Sequence, residues 1–148
     1  MRASAQEKRV GTSSPELYEG LAGFRLAMRR FLAFTDVVLA RAEVTSQQYQ
    51  AMLVIKTNAN AQIVIKELAE QMLLPHNGAV QLVDRLATAG LAERVPSQED
   101  RRSVFIRLSA KGQQVLHELA RSHVEELLAN EPLLADSLAK LRRLADLD

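Results

Sequence analysis

Apolar positions recur at steps of three and four over most of this chain, and the stretches that break that rhythm are where candidate chemistry collects. Leu17, Leu21, Phe24, Met28 and Phe31 fall at helical spacing, and the pattern runs on through Val38 to about Arg41, predicting one long amphipathic helix. Its start is marked by Ser14-Pro15-Glu16: a hydroxyl cap, a proline at the first helical position, where no N–H is needed, and an acid in the first turn. The preceding residues 1–14, with Arg2, Lys8 and Arg9, have no apolar periodicity and are expected to form a flexible tail. Thr45 caps a second predicted helix carrying Tyr49, Met52, Leu53 and Lys56, which ends at the polar stretch Thr57-Asn58-Ala59-Asn60. Gln62-Ile63-Val64 is short and β-prone. Ile65 to Met72 predicts a third, short helix with Ile65, Leu68, Ala69 and Met72 inward. Leu73-Leu74-Pro75 breaks it, and residues 76–89 resume as a fourth helix with Ala79, Leu82, Val83 and Leu86 on its apolar face, ended by Gly90.

The period then changes. Residues 91–95 and 103–108 are β-prone runs, with Val104, Ile106 and Leu108 alternating onto one face, and the polar stretch 96–102 between them predicts a hairpin with a long tip. Ser109 caps a further long helix (Val115, Leu116, Leu119, Val124, Leu127, Leu128), and Asn130-Glu131-Pro132 interrupts before a last one with Leu134, Leu138 and Leu141. Helix, helix, short strand, helix, tight turn, helix and hairpin is the order of a winged helix-turn-helix, so the expected class is mainly α (α+β). In that arrangement a braced helix enters a major groove while the hairpin reaches an adjoining minor groove.

On the fourth helix, steps of four, four and three place Asn77, Gln81, Arg85 and Thr88 in one stripe opposite the core. Asn and Gln can bind adenine at two points and Arg can bind guanine likewise, each good pair contributing roughly 1–3 kcal/mol of discrimination. A solvated helix face is usually polar too, so the stripe alone does not decide the function. His76, at the helix start, can touch a phosphate or simply face water. Gly78 lets the backbone approach a ligand closely but weakens the helix by up to about 1 kcal/mol relative to Ala. At the hairpin tip Asp100-Arg101-Arg102 presents two planar, weakly hydrated cations suited to a narrow minor groove, with a carboxylate placed to hold Arg102 extended. The same Asp-Arg pair can instead tie the turn together.

Composition narrows these readings. At 148 residues, with 47% hydrophobic and 25% charged residues, the chain fits one compact domain with helical extensions. No run approaches the roughly 18 apolar residues of a spanning helix and no signal peptide opens the chain, so a cytoplasmic protein without a membrane partner is expected. The absence of cysteine removes disulfides, thiolate zinc sites and thiol-based sensing. The net charge of +1 (19 basic, 18 acidic) is far below that of a non-specific nucleic-acid coat, and residues 76–102 balance four basic groups against four acidic ones. DNA binding must therefore come from the placement of charge.

Leu82-Val83-Asp84-Arg85-Leu86, Ala89-Gly90-Leu91, Glu93-Arg94, Asp100-Arg101-Arg102-Ser103 and Leu108-Ser109-Ala110-Lys111-Gly112, in this order and spacing, resemble the core signature of MarR-family regulators. With the flanking helices the similarity extends over about residues 15–147. The resemblance implies a homodimer held by the first helix and the last two, on a roughly palindromic operator in double-stranded DNA, with His76–Ala89 as recognition helix. Asp100 and Arg102 would supply the wing's minor-groove contact, Asp100 orienting the arginine. It divides the chain into a tail (1–14), a first dimerisation helix (15–44), a winged helix-turn-helix (45–108) and C-terminal dimerisation helices (109–148). Leu73 stands where many members have Gly, and Gly78 and Val80 where Ser or Thr often serves, so an operator unlike the family's commonest one is expected. Members typically act as repressors and release DNA when a small, often aromatic or phenolic effector enters a cleft between dimer helices and winged domain. Phe24, Met28, Phe31 and Tyr49 are the large side chains nearest such a cleft, but each reads more simply as packing, so no effector site is assigned.

An enzyme is not expected: no phosphate loop, nucleophile elbow or acid-base pair is present, and His117 and His123, six apart on a helix, cannot share a metal. No cofactor or metal is expected. The alternative is a winged-helix module for protein contact without specific DNA binding, in which Gln81, Arg85 and Arg102 are dispensable surface.

Overall fold

The computed structural model describes residues 14–100 and 102–145. The expected tail, apart from Ser14, and the wing residue Arg101 lie outside the described residues. Among those described, six α-helices and three strands follow in the order α1 (Pro15–Arg41), α2 (Ser46–Thr57), β1 (Gln62–Val64), α3 (Ile65–Met72), α4 (His76–Thr88), β2 (Ala92–Pro96), β3 (Val104–Leu108), α5 (Ala110–Ala129) and α6 (Glu131–Ala145), with a single 3-10 turn at Ala59–Ala61 before β1. The chain is mainly helical, as its periodicity predicts. By packing it divides into two units, residues 36–122 and residues 14–35 with 123–145, the seams falling inside the continuous helices α1 and α5.

In the unit 36–122, local chemistry sets each boundary. Thr45 Oγ1 accepts from the Gln48 N–H at 3.1 Å while Gln48 Oε1 accepts from the Thr45 N–H at 2.9 Å, a reciprocal cap that satisfies two otherwise orphaned donors. The three strands form an antiparallel sheet ordered β1-β3-β2, with Ile63 opposite Ile106 and Ala92 opposite Leu108. Its inner face and the apolar faces of α2, α3 and α4 enclose Met52, Ile55, Ile63, Leu68, Leu82, Val83, Leu86 and Ile106. Fully burying each such side chain contributes about 1.5–3 kcal/mol, which fixes α4 with one face in and the other out.

The junctions around α4 are equally specified. Leu73 ends α3 in the left-handed region (φ 54, ψ 40), and the Leu74 N–H reaches back to the Ala69 carbonyl at 2.9 Å, closing the helix-turn-helix. After α4, Gly90 takes φ 73, as its place at the helix end requires. Ser109 ties α5 to this corner, its hydroxyl donating to the Gly90 carbonyl and accepting from the Gly112 N–H at 3.0 Å. Lys111 Nζ donates to the Ala89 carbonyl at 3.0 Å, capping the negative end of α4. Leu108 to Gly112 thus clamps the C-terminal end of α4. The predicted strand at 91–95 begins one residue later, because Leu91 is buried as the corner residue and donates its N–H to the Leu86 carbonyl at 2.9 Å.

In the other unit, α1 and α6 approach closely at small residues. A Cβ on Gly23 would lie 2.3 Å from Ser137 Oγ, and one on Gly20 would lie 2.9 Å from Leu141. Ser137 is buried and donates to the Leu133 carbonyl at 2.7 Å. His123, on α5, is also buried, its ring edge-on to Phe31 with centroids 6.0 Å apart, and burial pushes its pKa below the usual histidine value. His117 is exposed. Leu21 and Met28 of α1, and Val124, Leu127 and Leu128 of α5, remain exposed although their periodicity reads as apolar, and Tyr18 and Leu32 of α1 are exposed beside them in sequence.

Candidate nucleic-acid interface

The row expected to read DNA projects from the protein. Asn77, Gln81, Arg85 and Thr88 are all exposed, while Ala79, Leu82, Val83 and Leu86 on the opposite side of α4 are buried. His76 is exposed at the first helical position, behind the fixed φ of Pro75. Gly78 is half-buried, and a Cβ there would meet Pro75 and Leu74 at ordinary contact distances of 3.5 and 3.7 Å, so its lack of a side chain reflects no steric demand within the chain.

The hairpin tip is held by its own backbone and two side chains. The Ser97 N–H donates to the Ser103 carbonyl at 2.9 Å and the Ser103 N–H to the Asp100 carbonyl at 3.0 Å. Ser97 Oγ accepts from the amides of Glu99 and Asp100, both at 3.3 Å. Asp100 Oδ1 accepts from the backbone N–H of Arg102 at 3.0 Å, and its Oδ2 from the Ser103 hydroxyl at 3.2 Å. The carboxylate therefore shapes the turn through main chain and hydroxyl and does not pair with the Arg102 guanidinium. Arg102 is exposed and, among the described residues, makes no ion pair. Arg101 lies outside the described residues.

Pairing sorts the balanced charge of this region into bound and available cations. Arg94 on β2 pairs with Asp84 on α4, and Arg107 Nε on β3 pairs with Glu93 on β2 at 2.8 Å, opposite it in register. Both pairs are surface-exposed, each contributing about 0–1 kcal/mol, so their main effect is to neutralise and orient. Arg85 and Arg102 are left with unpaired guanidiniums among the described residues, one on the helix row and one at the wing. Between α4 and the wing runs a cleft of about 440 Å³ with Ile65, Val80, Val104 and Ile106 in its walls and Lys66, Arg94 and Arg102 among its lining cations. Asp84 and Arg94 belong to the signature residues, but their pairing, like the place of Lys66 in this cleft, does not follow from the sequence pattern. Their roles depend on bringing α4, β2 and α3 together, which no local spacing reports.

A braced helix with an outward amide-and-guanidinium row, flanked by an arginine-bearing β hairpin, defines a winged helix-turn-helix protein. Residues 42–103 match the model of the MarR family, which bears out the resemblance seen in the signature residues. The chain is similar to the HTH-type transcriptional regulator FarR of Neisseria gonorrhoeae, 27% identical over 117 residues, covering 74% of this chain and 79% of that protein. Among solved structures it resembles AbsC, a MarR family transcriptional regulator from Streptomyces coelicolor (TM-score 0.66, 19% identity, 83% of this chain and 82% of that one). It also resembles a mutant MarR from E. coli complexed with operator DNA (TM-score 0.63, 23% identity, 82% of this chain and 87% of that one).

Proposed function

We propose that this chain is a sequence-specific DNA-binding transcriptional regulator, acting in the cytoplasm as a homodimer on a roughly palindromic operator. The observation that carries the reading is the outward row Asn77, Gln81, Arg85 and Thr88 on a helix whose other face is buried, beside an unpaired wing arginine at 102. In this reading the row contacts base edges in the major groove, His76 and the start of α4 face phosphate, and Arg102, on a turn shaped by Asp100 and joined by Arg101, enters the minor groove. The solved complexes of related MarR and MepR proteins with DNA support it by analogy of fold. The exposed apolar side chains of α1 and α5 support dimerisation, since so many large apolar groups on two helices are costly to leave in water.

The regulator acts as a repressor, since a small dimer covering promoter DNA blocks access to it, and a small aromatic or phenolic effector releases it. A cleft of about 470 Å³ lined by Val38, Arg41, Val115, Glu118, Leu119 and Ser122 has the size for such a molecule, with apolar walls and a few polar groups to orient it.

Fluorescence anisotropy with the chain's own upstream DNA and a scrambled duplex, at two salt concentrations, tests the reading. Wild type should prefer the upstream duplex, and Arg102→Ala should weaken that binding and reduce the salt slope by about 1. Equal affinity of wild type for both duplexes would overturn it.

A further inference from the structure

Leu73 is 92% exposed, against 61% for Tyr18, the next large apolar side chain among the described residues. It also holds a left-handed backbone (φ 54, ψ 40) at the end of α3, the position where glycine is free of strain and a leucine is not. The side chain recovers nothing inside the protein: Leu74, its neighbour, is the one that packs against the core. Strain retained without a structural return points to use outside the chain.

Its position suggests what that use is. Leu73 lies three residues before His76, the first residue of α4, at the end of the helix that leads into a groove. Its exposed neighbours in sequence are Glu70, Gln71, His76 and Asn77 together with Pro75, so among the described residues 70–77 Leu73 is the one exposed large apolar side chain, too little for a patch able to dock a protein. A lone apolar group beside amides and guanidiniums matches the one apolar element that a base pair shows in the major groove, the thymine C5-methyl. Resting on the DNA-binding reading above, we propose that Leu73 is a specificity-determining residue that packs on a thymine methyl next to the bases read by Asn77.

The test uses the full chain and a duplex selected by wild type from a randomised library, with a scrambled duplex as control. Leu73→Asn and Leu73→Gly relieve the backbone and remove the apolar reach, whereas Leu73→Met keeps it. The first two should lose on the order of fivefold in affinity for the selected duplex, from a lost contact of one or two methyl-sized groups, with binding to the scrambled duplex unchanged. Leu73→Met should bind nearly as wild type. Replacing one thymine per half-site by uracil should weaken wild type similarly and leave Leu73→Asn unaffected. Thermal melts should show the Asn and Gly variants at least as stable as wild type, which separates lost contact from lost fold. If all four proteins bind the selected duplex alike, or lose the same factor on uracil replacement, the assignment of Leu73 is overturned and the DNA-binding reading stands. If wild type selects no sequence over scrambled DNA, both fall.

Discussion

Gly112 sits in the first turn of α5, inside a regular helix, where propensity alone favours alanine by about 1 kcal/mol. The structure implies the opposite sign. An added Cβ would stand 1.9 Å from the carbonyl oxygen of Leu91 and 2.8 Å from its carbonyl carbon, where carbon and oxygen normally keep about 3.3–3.6 Å apart. Both obstacles are backbone, and Leu91 is buried in the corner between α4 and β2, so relief requires α5 to move off that corner by more than 1 Å, as a rough estimate from those contact limits. Such a shift breaks the Ser109 N–H bond to Leu91, the Ser109 hydroxyl bond to Gly90 and the Lys111 bond to Ala89. Three bonds at about 1 kcal/mol each and about 1–3 kcal/mol of overpacking, less about 1 kcal/mol of propensity, leave a net loss of about 3–5 kcal/mol. Urea denaturation of wild type and Gly112→Ala at matched protein concentration measures it. A variant as stable as wild type, or more stable, would refute the clamp.

Four further outcomes are expected. Gly23→Ala should destabilise by about 1–3 kcal/mol through overpacking against Ser137 Oγ, and Ser137→Ala should rescue part of the loss, because the Ser137 Cβ lies at an acceptable 3.5 Å; additive losses in the double-mutant cycle would contradict this. His123, whose folded-state pKa is lowered by burial, should contribute stability that is present above its unfolded value of about 6.5 and lost as pH falls through the lower folded value. The urea midpoint of wild type should accordingly drop in that window, and that of His123→Gln should drop less; parallel profiles would refute the assignment. Leu73→Gly should raise stability by about 1 kcal/mol by releasing the left-handed strain, and a destabilised variant in a thermal melt would count against it. Deleting residues 131–148 should yield monomers by sedimentation, and a stable dimer after deletion would remove the terminal helices from the interface.

Much of this architecture is legible because local and tertiary signals agree. Pro15, Thr45, Gly90 and Ser109 mark element ends by cap or turn chemistry acting within four residues, and the observed elements begin or end where they stand. The α4 stripe is equally legible, since a period of 3.6 with Leu82, Val83 and Leu86 inward leaves Gln81 and Arg85 outward. What escapes is pairing across distance. Asp84 and Arg94 are each unremarkable charges until α4 and β2 meet, and they then remove one cation from a region whose net charge alone argues against DNA. The carboxylate of Asp100 looks from spacing like a partner for the Arg102 side chain, but a turn this tight brings the Arg102 amide and the Ser103 hydroxyl within reach. Periodicity also cannot say which apolar positions of a helix stay uncovered: Leu119 is buried, while Val124, Leu127 and Leu128 on the same helix α5 are exposed.

Dimethyl sulfate methylation of guanine N7, the acceptor to which an outward Arg85 would donate in the major groove, tests the central claim most directly. On a selected duplex, wild type should protect guanines symmetrically in two half-sites whose centres lie about 34–36 Å apart, and Arg85→Ala should re-expose one guanine in each while still binding. No protection by wild type, or a pattern unchanged by Arg85→Ala, would contradict the claim that this face of α4 reads the bases.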